Sequence, residues 1–160
     1  MTLRYLTPLT AEEQLKFGLS DAQPLALADR VRYGELDVLN HVNNKAYMGW
    51  FESLRATHFE LFCMPHYVGQ PKPRTVLRSA EIRFVKEMHL GEDYVATARI
   101  AAVRSSSYTI QQELWSGDLR ATLTGVMVMM HPDGSGRWPL PETLRKYFIE
   151  KEGAAAHVPS

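Results

Sequence analysis

One cysteine, Cys63, is all the sequence contains, which excludes an intrachain disulfide and points to a core thiol in a reducing compartment. Its six histidines stand at unrelated spacings without any cysteine pair, so no zinc framework is recognisable and no metal site is expected. Neither sign of charge is in excess, 18 basic residues facing 18 acidic ones, so there is no global field to hold a polyanion. Nucleic acid is therefore not an expected partner. No apolar run reaches the length that spans a bilayer, and residues 1–18 lack the basic start, apolar stretch and cleavage site of a secretory signal. No membrane partner is expected, and the expected location is cytoplasmic. Internal repeats and low-complexity segments are also lacking. What is present is 45% apolar residues in a chain of 160, enough for one sizeable core, so a single domain over 1–160 is expected.

Thr10 followed by Glu13 is a capping-box pattern, predicting a short helix over Ala11–Phe17 that Leu15 and Phe17 pin to the body and Gly18 ends. Residues 25–33 alternate, with Leu25, Leu27, Val31 and Tyr33 on one face, and predict a first strand. Residues 44–63 switch to helical period, because Tyr47, Trp50, Phe51, Leu54, His58, Leu61 and Phe62 recur at spacings of three and four. Asn43 or Asn44 caps this helix, and Pro65 ends it or follows its end closely. Four alternating segments follow, near 75–87, 93–104, 108–115 and 119–131, and short turn-like joints make an antiparallel meander the simple reading. The expected class is α+β, a long curved antiparallel sheet wrapped around the central helix. A terminal helix over 141–151 and a loose tail over 153–160 complete the chain, leaving residues 1–24 as an N-terminal extension to a core of about 25–150.

The most informative stretch is the polar loop that opens into the central helix. It carries Asp37, His41, Val42, Asn43 and Asn44, then Tyr47, Trp50 and Glu52 on the helix. Over about twenty residues this pattern resembles the motif shared by 4-hydroxybenzoyl-CoA-type thioesterases and plant acyl-ACP thioesterases of the hotdog-fold superfamily. The layout beyond it is similar too: Gly91 before a strand, Ser105–Ser107 between strands, and Leu140-Pro141-Glu142 before the last helix. The acyl-ACP members have an asparagine two residues after the acid, where Leu39 stands here, while His41 and Asn43 match them. Coenzyme A is thus a better fit than an acyl-carrier protein.

The resemblance implies a thioesterase acting on acyl-CoA without metal or redox cofactor, as a homodimer or a dimer of dimers with the substrate between subunits. Asp37 would supply the activated oxygen, as nucleophile or as general base. The backbone N–H of Asn44, with that of Asn43 or Lys45, would stabilise the oxyanion at the helix N-terminus. His41 is placed to hydrogen-bond Asp37, orient water or protonate the leaving thiolate. Other hotdog thioesterases carry their acid on the central helix, which makes Glu52 the reserve acid. By its spacing, Glu52 also suits a surface ion pair with Arg55. Asn43 is a loop brace or helix cap, and Tyr47 and Trp50 are pocket wall or core. The cations Lys72, Arg74, Arg78, Arg83, Lys86 and Arg104 are available for coenzyme A phosphates, with Arg83, Lys86 and Arg104 favoured and the Ser105–Ser107 hydroxyls as helpers. Two rivals remain beside this reading: a non-catalytic acyl-CoA-binding hotdog protein, and a hotdog dehydratase or hydratase with His41 as base.

Overall fold

The structure, a computed structural model, describes residues 2–157. Its elements run α1 (Ala11–Phe17), β1 (Leu25–Arg30), α2 (Asn44–His58), β2 (Arg74–Phe84), β3 (Asp93–Val103), β4 (Ser107–Ser116), β5 (Asp118–Met130), α3 (Glu142–Glu152) and β6 (Ala155–Ala156). None of the helices is long and apolar enough to cross a membrane.

The capping box forms as its spacing predicts, with the Thr10 side chain accepting from the Glu13 N–H and the Glu13 carboxylate accepting from the Thr10 N–H. Leu15 does not anchor α1, being 52% exposed, whereas Gln14 is 2% exposed. The Gln14 amide donates to the Leu9 and Gln23 carbonyls and accepts from the Gln23 N–H. A fully bonded amide is as buriable as an apolar side chain, which a search for apolar period overlooks. Phe17 packs with Leu9, Leu19, Ala26, Ala28 and Val95 in a small cluster beside β1 and β3. The first strand stops at Arg30, short of the expected Tyr33, because the Glu35 carboxylate accepts the Arg32 N–H and draws residues 33–35 into a 3-10 turn.

The sheet order is β1-β3-β4-β5-β2, with every neighbour on this path antiparallel. β3, β4 and β5 form the expected meander, but β2 is not part of it. It pairs instead with β5, Val76 opposite Val128 and Phe84 opposite Ala121. A hairpin reading joins segments that are adjacent in sequence; residues 85–92 are no tight turn and carry the chain across to the other side of the sheet. β1 and β2 therefore lie far apart, and the second edge of β2 is unpaired among the described residues.

Ala98, Ile100, Ile110, Leu114, Leu123 and Met129 from the strands meet Phe51 and Leu54 of α2 in the main core. Burying each large apolar side chain is worth about 1.5–3 kcal/mol. Gln112 sits at 0% exposure in this layer, donating to the Phe51 carbonyl at 2.8 Å and accepting from Arg55 at 2.9 Å. Arg55 thus turns to the sheet, and the expected surface pair with Glu52 does not form. Gly125 admits Leu77 across the sheet: a Cβ there would stand 2.9 Å from Leu77 Cδ1.

Beyond His58 the α-helix gives way to other helical turns, and Pro65 lies just past the one that ends at Cys63. A π-turn spans Phe59–Cys63, with the Met64 N–H bonding to the Phe59 carbonyl, and a 3-10 turn over Met64–Tyr67 takes Pro65 in its first positions. The wider turn rotates the apolar face, so Leu61 is 45% exposed and Cys63 is fully buried. Burial pushes the Cys63 thiol up, as suits an inert core thiol. On α3, Leu144 and Phe148 are buried. Glu152 accepts from the Ile100 N–H at 2.9 Å and meets His58 Nε2 at 2.8 Å, the two side chains being 0% and 1% exposed. The following segment is not loose: Ala154 is buried, and Ala155–Ala156 pair in parallel with Ala102 and Val103 of β3. The expected tail residues 158–160 lie outside the described residues.

Candidate active site

Asp37 lies in a tight turn closed by an antiparallel bridge between Leu36 and Val42. Its N–H donates to the His41 carbonyl at 2.8 Å, and the Asn40 N–H donates to the Asp37 carbonyl at 3.1 Å. Asn40 takes the left-handed corner at φ 61, a conformation that asparagine tolerates. The Asp37 Oδ1 accepts from the Leu39 N–H at 2.8 Å and the His41 N–H at 3.3 Å. This Asx turn shapes the loop and also fixes the carboxylate. Oδ2 has no donor among the described residues, and the residue is exposed.

Two further bonds moor the loop: the Val42 N–H to the Met88 carbonyl at 2.9 Å and the Asn43 N–H to the Glu35 carbonyl at 2.8 Å. Asn43 caps α2, its side chain accepting from the Ala46 N–H at 2.7 Å. Its own N–H is spent on the Glu35 carbonyl and leaves the set of oxyanion donors. The N–H groups of Asn44 and Lys45 have no acceptor among the described residues and stand at the positive end of the helix.

Asp37 and Asn44 line one depression of about 240 Å³ with His41, Tyr47, Lys86 and Glu87. Tyr47 is buried with its ring edge on Phe84, and burial raises its phenol, which stays protonated. Lys86 reaches this depression but pairs with Asp118 at 3.0 Å. The His41 ring does not meet the Asp37 carboxylate. Backbone donors already occupy Oδ1, and the segment after β2 brings Glu87 to the ring, Nδ1 to Oε2 at 3.0 Å.

The remaining candidates lie elsewhere. Trp50 faces another flank of α2, donating to Glu35 and stacking on Tyr94 at 4.3 Å. Glu52 lines a groove of about 330 Å³ with Arg55, Phe59 and Tyr108, apart from Asp37. Arg83 pairs with Glu81 at 2.7 Å and lines a polar depression over the strands with Arg99, Gln111 and Thr124. Arg104 joins Arg78, Arg137 and Ser105–Ser107 around a depression of about 260 Å³. None of these last three arginine side chains has an ion pair or hydrogen bond among the described residues. Sequence reasoning did not pick out Arg137, which the bridge between Met130 and Arg137 carries back to the sheet. It also passed over Glu87 and His89, whose only signal was their nearness to Lys86 at the end of a predicted strand.

A curved sheet around a central helix, with an acid-bearing turn leading into the helix N-terminus, defines a hotdog-fold protein of the thioesterase type. The profile of the thioesterase-like superfamily matches residues 31–148; the chain belongs to this superfamily and is a thioester hydrolase. A thioesterase-superfamily structure from Jannaschia sp. CCS1 is 37% identical, with a TM-score of 0.87 over 98% of this chain and 100% of that one. A thioesterase from Thermus thermophilus, solved with coenzyme A and zinc, is 25% identical, with a TM-score of 0.69 over 82% of this chain and 96% of that one. A 1,4-dihydroxy-2-naphthoyl-CoA thioesterase from Synechocystis shares the fold at 14% identity, with a TM-score of 0.65 over 79% of this chain and 96% of that one. Among curated proteins none matches the chain.

Proposed function

We propose that this protein is an acyl-CoA thioesterase, releasing a free acid and coenzyme A. The observation that carries the reading is the juxtaposition of a carboxylate oxygen without a donor, Asp37 Oδ2, and the unengaged Asn44 N–H in one depression. Asp37 attacks the thioester carbonyl, the developing oxyanion is held by the Asn44 and Lys45 N–H groups, and the C–S bond breaks to release coenzyme A thiolate. Water then hydrolyses the mixed anhydride and restores Asp37. The base route needs a desolvated carboxylate, whereas Asp37 is exposed, which supports direct attack. His41 sits on the rim, facing Glu87, where it supports water rather than the acid.

The Thermus relative was solved with coenzyme A, which supports a CoA thioester as substrate. For the phosphates the best-equipped place is the depression of Arg78, Arg104 and Arg137, three cations beside three hydroxyls. Six residues of β2 separate Arg78 from Phe84 at the Asp37 depression, about 20 Å of strand, which extended coenzyme A can span. The free edge of β2 supports a homodimer joined along that strand, with the depression at the seam.

The test is thiol release from short, medium, long and aromatic acyl-CoAs. Wild-type turnover should fall about 100- to 10,000-fold in Asp37→Asn with fold and assembly unchanged. Arg104→Glu with Arg137→Glu should raise KM and leave kcat near its original value. Saturable acyl-CoA binding without thiol release would replace this reading with that of a binding protein.

A further inference from the structure

A second cluster shares the rim of the Asp37 depression. Glu87 is approached from both sides: His41 Nδ1 stands 3.0 Å from Oε2, and His89 Nε2 stands 3.6 Å from Oε1. The two imidazoles meet edge to face with centroids 5.2 Å apart, and one ligand atom from each of the three residues lies within 4.8 Å of the others. A lone carboxylate needs one cationic partner at most, and an exposed pair of this kind contributes about 0–1 kcal/mol to stability. Folding energy does not explain why two histidines converge on Glu87.

Coordination chemistry does. Nitrogen and oxygen ligands at about 2.0–2.2 Å from a tetrahedral ion stand about 3.3–3.5 Å from one another. The two contacts to the Glu87 carboxylate, 3.0 and 3.6 Å, bracket that range, and the set as a whole, within 4.8 Å, must draw closer by side-chain rotation to meet it. Two imidazoles and one carboxylate also form the His₂Glu set that leaves a fourth position open.

A second observation concerns the far side of the His89 ring. The other ring nitrogen of His89, Nδ1, faces Glu92 Oε2 at 3.6 Å. Glu92 is itself fixed, Oε2 by the backbone N–H of His89 and Oε1 by Arg120 Nη2 at 3.0 Å and the Ser116 hydroxyl at 3.2 Å. Metal-ligating imidazoles are oriented by donating the far N–H to such a carboxylate, and Glu92 stands just outside hydrogen-bond distance of His89 Nδ1, in place to accept it.

We propose that His41, Glu87 and His89 form a site for a divalent transition-metal ion of the zinc class on the rim of the Asp37 depression, with Glu92 orienting His89. The ligands come from the loop before α2 and the connection between β2 and β3, so an occupied site ties these two segments together. Because His41 and Glu87 also line the Asp37 depression, the open position lies beside the groove where the thioester is proposed to bind.

The experiment is direct binding, which does not depend on turnover. Chelator-treated protein is titrated with zinc chloride by calorimetry and with cobalt chloride by visible absorption. The expected result is one ion per chain with a micromolar or tighter Kd and a cobalt spectrum typical of histidine ligation. His89→Ala and Glu87→Gln should each abolish the cobalt signature, and Glu92→Gln should weaken binding about 10- to 100-fold. His66→Ala, a histidine outside the cluster, should bind as wild type does. Far-UV circular dichroism confirms that each variant is folded. Absence of saturable binding, or equal affinity in wild type, His89→Ala and His66→Ala, would overturn the proposal.

Discussion

Asn43 and Asn44 are neighbours with opposite sensitivities. Asn43 spends its side chain on the Ala46 N–H, so Asn43→Ala should cost about 1 kcal/mol in chemical denaturation, the usual worth of a helix cap. In the proposed mechanism Asn44 contributes only its backbone N–H, which a side-chain change leaves in place, so Asn44→Ala should retain near wild-type thiol release. The cap, at Asn43 or Asn44, and the start of the helix there were legible in sequence, because both are local features. The partners of His41 and the faces of Arg83 and Trp50 were not, since each depends on which distant segment packs alongside. Glu13 offers a pH test at the same scale. Arg4 holds its carboxyl down at about 2 from an ordinary 4.5, so the contribution of this pair is complete above pH 4.5 and lost as pH falls towards 2. Amide exchange at Thr10 and Glu13 should speed up across that window while the core strands remain protected.

The terminal helix is joined to the central one by a buried pair. His58 lies between the rings of Phe62 and Phe148, with Glu152 completing the contact and bracing the Ile100 N–H. Removing one partner leaves the other buried and unpaired, so Glu152→Ala should lower unfolding free energy by about 3–5 kcal/mol in urea titration. Periodicity placed His58 on the apolar face correctly and could not supply its partner, 94 residues away. The strand segments were likewise legible from alternation, whereas the place of β2 was not. Alternation describes which face is buried and says nothing of which edge is paired.

At the scale of the molecule the long unpaired edge of β2 dominates. Val76 and Val85 are 47% and 57% exposed on and just beyond this strand. Val76→Glu with Val85→Glu should dissociate the proposed homodimer in light scattering and lower thiol release with it, while secondary structure is kept. The proposed metal site belongs to this scale too. Its ligands fall 46 and 48 positions along the chain from His41, a spacing no local motif encodes, and only the mooring of the loop on Met88 brings them together.

The π-turn over Phe59–Cys63 has one consequence for how this chain tolerates changes of length. It holds one residue more than an α-turn, so it stores an insertion within a helix that otherwise reads continuously. Deleting the exposed Glu60 should let the ladder close as α-helix and leave everything beyond it in nearly the same orientation, because the residue removed is the one the wider turn absorbs. Tyr67 should then keep its place in the core, so a chain one residue shorter here can reach the same packing between α2 and β2.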